Sequence, residues 1–198
     1  MTELEGSLRQ VLSDLVDEGL RFALVGGLAV SARAEPRLTR DCDFAVWVDG
    51  DPMAEQVVAQ LAGRGYRAGA VVEQRATGRL AAVRLGGPDP EGAIVDLLFA
   101  SCGIEQEIVT EAEMVEILPG LVVPLARTGH LIAMKLLARD DRRRPADHDD
   151  LRSLASIATD ADWEMAGSAV ALIEQRGYGR DRDLGGALVS LRAGWADW

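Results

Sequence analysis

The chain has 198 residues and a formal net charge of −11, and hydrophobic and charged residues make up 48% and 27% of it. This composition is close to that of globular proteins rather than disordered ones, and the length predicts one folded domain, or one core with an appended subdomain. The acidic balance argues against a surface that binds nucleic acid over its whole extent, because phosphate binding usually leaves a basic footprint.

The cysteine spacing and the hydropathy pattern exclude several further classes of protein. Cys42 and Cys102 have no paired spacing, so they indicate neither a disulfide framework nor a zinc site. The acidic N-terminus lacks an apolar signal region, and no apolar stretch reaches the length that spans a bilayer. The sequence therefore predicts a cytoplasmic protein with no membrane partner.

Apolar residues at helical spacing predict a first helix over residues 3–18. The run at 22–25 predicts a buried strand that ends at a Gly-Gly turn and is followed by a helix. Residues 42–48 are apolar on both faces and predict a central, covered strand, and a helix is expected over 53–63.

Three further strands are predicted at 66–72, 79–85 and 93–99. From about residue 127 the pattern becomes helical, with helices expected at 128–139, 147–158, 162–176 and 183–193. The expected fold class is α+β, with a mixed central sheet flanked by helices. We expect an α/β core over residues 1–126 and a helical C-terminal subdomain, residues 127–198, packed on that core.

Two carboxylates stand one residue apart where the central strand begins. Asp41 and Asp43 project from the same face of a strand, because side chains alternate with period two. Two like charges this close raise each other's pKa unless a cation lies between them, and a hard ion such as Mg²⁺ suits carboxylate oxygens. The alternative is an ordinary acidic turn.

A third carboxylate, Asp96, lies at the centre of the strand predicted at 93–99. An aspartate there is disfavoured by β-propensity, and burying it without a partner is costly. If this strand pairs with residues 42–48, Asp96 reaches the same ion site as the first two. Otherwise Asp96 pairs with a nearby arginine such as Arg84.

The Gly26-Gly27 turn follows a buried strand and opens a helix, which brings free backbone N–H groups to the positive end of the helix dipole. We expect an anion, a triphosphate, to bind there. A tight turn also needs glycine for steric reasons alone, so the two glycines by themselves are weak evidence for an anion site.

Together these motifs resemble those of the nucleotidyltransferase superfamily, whose fold is shared with DNA polymerase β. Within that superfamily the chain most resembles the AbiEii/AbiGii-type toxin group. The superfamily motif is carried by the Gly-Gly turn and by Arg37, Thr39, Asp41, Asp43 and Asp96. The group-specific part is a helix with Lys135, a basic stretch, and a helix start with Asp147 and Asp150. Many relatives have Gly-Ser at the turn, where this chain has Gly27.

The resemblance implies two Mg²⁺ ions held by Asp41, Asp43 and Asp96, with Asp96 also placed to take a proton from the attacking hydroxyl. It implies that Lys135 binds phosphate, and the three carboxylates with this lysine form the expected catalytic set. The expected nucleotide-binding residues are Gly26, Gly27, Ser31, Arg37, Thr39, Lys135, Asp147 and Asp150.

Several of these residues have alternative roles. Lys135 could extend from the edge of the core, and Asp147 could cap its helix or, with Asp150, orient Arg144. The basic run of Arg139, Arg142, Arg143 and Arg144 could steer RNA or a nucleotide, or form an exposed helix end. His130 and His148 lack metal-ligand spacing, which favours structural or surface roles, and Trp163, Trp195 and Trp198 are expected to pack at the helical end.

The expected function is a Mg²⁺-dependent transfer of a nucleoside monophosphate from a nucleoside triphosphate to an acceptor hydroxyl on tRNA or protein. The chain would act as the toxin of a toxin–antitoxin or phage-defence system, with a cognate antitoxin as partner. A small-molecule nucleotidyltransferase of the aminoglycoside-modifying kind is one alternative. A non-catalytic, nucleotide-binding or antitoxin-like module is the other.

Overall fold

The computed structural model describes residues 3–39, 41–90, 92–139 and 145–194. Those residues form eight helices and seven strands. In chain order they are α1 (Glu3–Asp17), β1 (Phe22–Val25), α2 (Gly26–Arg33), β2 (Asp41–Val46), α3 (Asp51–Gly63), β3 (Arg67–Glu73), β4 (Leu80–Gly86), β5 (Ile94–Leu98), α4 (Glu105–Thr110), β6 (Glu113–Leu118), β7 (Leu121–Leu125), α5 (Thr128–Ala138), α6 (Pro145–Ile157), α7 (Asp160–Gln175) and α8 (Leu184–Arg192).

All seven strands join one mixed sheet in the order β3-β4-β5-β2-β1-β7-β6. The β2–β5 and β1–β7 pairs are parallel and the other four pairs are antiparallel. Strand β2 lies at the centre, and its Cys42, Phe44, Ala45 and Val46 are buried. The prediction of a central strand is confirmed, and its apolar residues face both ways because both faces of the sheet are covered.

The register of the central strands places the carboxylates. Asp43 of β2 stands opposite Asp96 of β5, and Arg84 of β4 stands opposite Asp96 on its other side. On the β1 side Asp43 faces Val25, the last residue before the Gly-Gly turn. One level of the sheet therefore carries Arg84, Asp96, Asp43 and the start of α2 side by side.

Helix α5 is the most buried helix of the C-terminal third, with eight of its eleven residues buried. It packs against α6, α7 and α8, and α2 contacts both α5 and α6. Because α2 follows directly from β1, this packing holds the C-terminal helices close to the Gly-Gly turn. None of the helices in the described ranges is long and apolar enough to cross a membrane.

The expected α+β class and the predicted helices and strands are confirmed to within a few residues. Helix α4 and the β6–β7 hairpin, however, lie between residues 100 and 126, where no element was predicted. The hairpin is half-exposed, and its second strand contains Pro124. Its sequence therefore lacks the regular alternation of apolar and polar residues that predicts a strand. The division into a core and a helical subdomain stays a prediction.

Candidate active site

The carboxylate cluster consists of Asp41, Asp43 and Asp96. Asp41 and Asp43 share a face of β2, and the parallel register sets Asp96 beside Asp43. The side chain of Asp96 is 17% exposed and that of Asp41 is 38% exposed, so the cluster is open to solvent on the Asp41 side. The three acids therefore lie together at one point of the sheet, reachable from outside.

Arg84 binds two members of the carboxylate cluster. Its Nε donates to Asp96 Oδ1 at 2.9 Å and its Nη2 donates to Asp96 Oδ2 at 2.6 Å. The same Nη2 lies 3.4 Å from Asp41 Oδ2. Asp96 thus both pairs with Arg84 and stands beside Asp43. No three His, Cys, Asp or Glu side chains in the described part of the chain are arranged to hold a metal ion.

Asp43 is the electrostatically perturbed member of the cluster. Burial and the neighbouring charge of Asp96 raise the pKa of Asp43 to about 6, against the opposing effects of Lys135 and of a hydrogen bond from the Gly27 N–H. Arg84 therefore does not fully compensate the negative charge of the three carboxylates. An added cation would favour the ionised form of Asp43.

The Gly-Gly turn fits closely around these side chains. Gly26 has a φ of +65°, and a methyl group at its Cα would come within 1.9 Å of Asp43 Oδ2. A methyl group on Gly27 would lie 2.6 Å from Arg37 Nη2 and 3.2 Å from Thr39 Oγ1. Gly26 is required here by the close approach of Asp43 and by its backbone conformation, whereas a side chain at Gly27 would require Arg37 to shift.

The lysine cluster consists of Lys135, Asp147, Asp150 and Arg37. The Nζ of Lys135 lies 2.7 Å from Asp147 Oδ1 and 2.7 Å from Asp150 Oδ2. Arg37 donates to the same Asp150 with its Nε at 2.5 Å and its Nη2 at 2.8 Å. The cluster joins the loop before β2 to helices α5 and α6.

Charges in the lysine cluster are compensated. Burial favours a higher pKa for Asp150, but the hydrogen bonds from Arg37 and Lys135 outweigh it and hold the pKa below its usual value. Lys135 is only 12% exposed, so it is not a side chain extending to solvent. Asp147 lies inside the first turn of α6, which begins at Pro145, rather than capping it. Its Oδ2 is buried and accepts no hydrogen bond from the described residues.

The two clusters interact electrostatically across the Gly-Gly turn. Lys135 lowers the pKa of Asp43, and Asp43 and Asp147 both contribute to the raised pKa of Arg37. Thr39 lies at the turn, whereas Ser31 bonds the backbone of Arg37, accepting from its N–H at 3.2 Å. Ser31 thus fixes the loop that carries Arg37.

Two contacts of the site were not predicted. The sequence suggested Arg84 only as an alternative partner for Asp96, not as a bridge to Asp41. The Arg37–Asp150 pair joins residues 113 positions apart, and no local pattern indicates such a partner. The reach of an arginine across two strands depends on a register that the sequence alone does not fix.

Several other candidates lie away from the site or outside the described residues. His130 is buried, and burial lowers its pKa, which agrees with a structural role. Trp163 packs on the core, and Cys42 and Cys102 are buried free thiols. Arg139 is buried at the end of α5. The remaining basic run and the terminal tryptophans lie outside the described residues: Arg142, Arg143, Arg144, Trp195 and Trp198.

The fold is that of a nucleotidyltransferase. The structure superposes on a lincosamide antibiotic adenylyltransferase, LnuA, in its lincomycin-bound form, with a TM-score of 0.50 and 16% identity over 78% of this chain and 98% of that chain. The family model for the nucleotidyl transferase AbiEii toxin of type IV toxin–antitoxin systems matches residues 10–192. The chain belongs to this family, which confirms the resemblance seen in the motifs.

Two further solved structures are similar. One is an antigenic nucleotidyltransferase-like protein from Paracoccidioides brasiliensis, with a TM-score of 0.49 and 21% identity over 92% of this chain and 89% of that one. The other is the nucleotidyltransferase toxin MenT4 from Mycobacterium tuberculosis H37Rv, with a TM-score of 0.49 and 17% identity over 99% and 85%. A search of curated proteins returns no significant match.

Proposed function

We propose that this chain transfers a nucleoside monophosphate from a nucleoside triphosphate to an acceptor hydroxyl on tRNA or protein, with Mg²⁺, as the toxin of a toxin–antitoxin pair. The observation that carries the proposal is the carboxylate cluster beside the Gly-Gly turn, faced by the lysine cluster. Membership of the AbiEii toxin family supports the reaction class and the antitoxin partner.

The donor set fits a magnesium site in its chemistry. Carboxylate oxygens are the ligands that Mg²⁺ favours, and Asp41, Asp43 and Asp96 supply three such groups on one face. The raised pKa of Asp43 indicates that the cluster has negative charge for an added cation to neutralise. When bound, two Mg²⁺ ions would polarise the phosphates and offset the charge that develops on them.

The turn and the lysine cluster would bind the phosphates. The start of α2 presents backbone N–H groups at the positive end of an eight-residue helix. Lys135 and Arg37 bring two cationic side chains to the same space, and Thr39 offers a hydroxyl. The buried Oδ2 of Asp147, which accepts no hydrogen bond from the described residues, is a further acceptor for a donor group of the nucleotide.

In the reaction the acceptor oxygen forms a bond to the α-phosphorus, and the bond from that phosphorus to the bridging oxygen breaks, releasing pyrophosphate. Asp96 would accept the proton of the attacking hydroxyl. Lys135 would stabilise the charge of the leaving pyrophosphate.

A transfer assay tests the proposal. The protein is incubated with each α-labelled nucleoside triphosphate, Mg²⁺ and either total tRNA or cell protein, beside the Asp43→Asn variant. We expect label on one acceptor, lost by more than a hundredfold in Asp43→Asn. Asp160→Asn is a matched control, since Asp160 is an exposed aspartate of α7 bound to Arg192. Full transfer by Asp43→Asn would contradict the proposed site.

A small-molecule acceptor is the second candidate. The formal net charge of −11 and the surplus of acid in the carboxylate cluster favour a cationic acceptor such as an aminoglycoside. A third arm of the assay therefore offers aminoglycosides. Label on the drug and on neither macromolecule would support this candidate, whereas nucleotide binding without transfer to any acceptor would support a non-catalytic module.

A further inference from the structure

Arg84 is held by carboxylates rather than by the fold around it. Its neighbours in β4, Val83 and Leu85, are buried on the opposite face, whereas the Arg84 side chain is 46% exposed. The Arg84 side chain is too exposed to contribute much packing, and a partly exposed ion pair adds little to the stability of the fold. Stability therefore does not explain why an arginine stands at this position. Its bonds explain it better, because the guanidinium takes both oxygens of Asp96 and reaches Asp41.

The position of Arg84 is one that a divalent ion would also favour. The guanidinium lies where two of the three carboxylates meet, and it supplies positive charge to a cluster of like charges. A fork of two parallel N–H donors matches a carboxylate well and occupies one lone pair on each of its oxygens. A metal ligated by Asp96 and a guanidinium bound to the same two oxygens are both cations, so they repel each other and compete for that carboxylate.

We infer that Arg84 is the resident counter-cation of the carboxylate cluster, competes with divalent metal for Asp96 and Asp41, and moves aside when metal loads. The inference rests on the function proposed above, because it takes the three carboxylates as metal ligands. Arg84 is a positioning residue in this scheme: it holds Asp96 and Asp41 in place before loading. Its half-exposed side chain has room to turn toward solvent.

Removal of the positive charge should therefore increase metal affinity. Arg84→Gln abolishes both the competition and the repulsion between guanidinium and metal, and we expect Mn²⁺ to bind about tenfold more tightly. Arg84→Lys keeps the charge but loses the fork, so its affinity should lie between those of the wild type and Arg84→Gln. A role confined to folding would give no such order.

The test is a Mn²⁺ titration of the nucleotide-free protein, followed by the electron paramagnetic resonance signal of free Mn²⁺. The variants are Arg84→Gln, Arg84→Lys, Asp43→Asn and, as a matched control, Arg176→Gln. Arg176 is 40% exposed and binds Glu107 with a similar fork, between α4 and the end of α7. Thermal unfolding with and without Mn²⁺ provides a second readout, because a ligand stabilises the state that it binds.

The inference is supported if Arg84→Gln binds more tightly, gains more thermal stability from Mn²⁺ than the wild type, and Arg176→Gln does neither. Equal or weaker binding by Arg84→Gln overturns it. If wild-type binding is then still lost in Asp43→Asn, only the role of Arg84 fails and the proposed function stands. Absence of binding in the wild type and in both Arg84 variants overturns the inference and the proposed metal site together.

Discussion

The carboxylate cluster and the lysine cluster adjoin each other but differ in charge balance. Among the described side chains, the lysine cluster sets two cations against two carboxylates, and each carboxylate bonds a cation. The carboxylate cluster sets three acids against Arg84, and burial beside Asp96 raises the pKa of Asp43. The first cluster is a completed link between elements, whereas the second gains from an added cation. Changes in the two should therefore affect different properties.

The largest loss of stability is expected from Asp150→Ala. Asp150 is 1% exposed and bonds both Arg37 and Lys135, so its removal leaves Arg37 without its carboxylate partner and Lys135 with Asp147 alone. Breaking a buried pair from one side costs about 3 kcal/mol in the free energy of unfolding. Urea unfolding measures the loss, and Asp150→Asn shows how much of it is charge. A loss below about 1 kcal/mol would mean that the lysine cluster does not link the elements.

Gly26→Ala should be the next most damaging change, and it acts on the carboxylate cluster. The backbone is in the left-handed region, and the added methyl group would displace Asp43. We expect a loss of about 2 kcal/mol from the combined strain. Gly63→Ala is the control, since the end of α3 has open space around that glycine and no positive φ. If both variants unfold at the same urea concentration, the close fit at Gly26 is wrong.

Asp43→Asn should stabilise the protein above pH 6. The pKa of Asp43 rises from 3.8 to about 6 on folding, so between these values the unfolded state loses the proton first and stability falls as pH rises. Asparagine does not titrate. The variant should match the wild type near pH 4 and exceed it by about 1.5 kcal/mol at pH 7.5, after allowance for solvent screening. Urea unfolding at the two pH values measures this, and a difference independent of pH would contradict it.

The smallest effect on stability is expected from Asp41→Asn. Asp41 is half-exposed, and its carboxylate lies 3.4 Å from Arg84 Nη2, so the change should stay within about 0.5 kcal/mol. Transfer activity should nevertheless fall, because the variant loses one of three proposed metal ligands. Thermal unfolding and the transfer assay separate the two effects. A large loss of stability would show that Asp41 supports the fold.

Local patterns were enough to predict most of the fold. The carboxylate positions followed from strand alternation and from one correct pairing of two strongly apolar segments, β2 and β5. The β6–β7 hairpin was missed because its exposure weakens the alternation and Pro124 interrupts it. Propensity and period describe neighbours in sequence, and this hairpin is stabilised by a parallel contact with β1, about a hundred residues earlier.

For the site, residue types were easier to predict than partners. Asp147 and Asp150 were expected near the nucleotide. The sequence did not predict that Asp150 bonds both Arg37 and Lys135, because these contacts depend on where α6 lies against α2. Ser31 was expected at the phosphates, yet its hydroxyl bonds the backbone of Arg37. These contacts arise from tertiary packing, which no window of sequence contains.

The residues of the site come from distant parts of the chain, and the ribosome synthesises the carboxylate cluster before it reaches Lys135 and Asp150. The Gly-Gly turn and the three carboxylates belong to the first hundred residues, whereas Lys135 and Asp150 come from α5 and α6. A nascent polypeptide that ends before residue 135 lacks the buried lysine, and one that ends before residue 150 also lacks the acid that orients Arg37. The transfer proposed above would thus have to await the synthesis of Asp150.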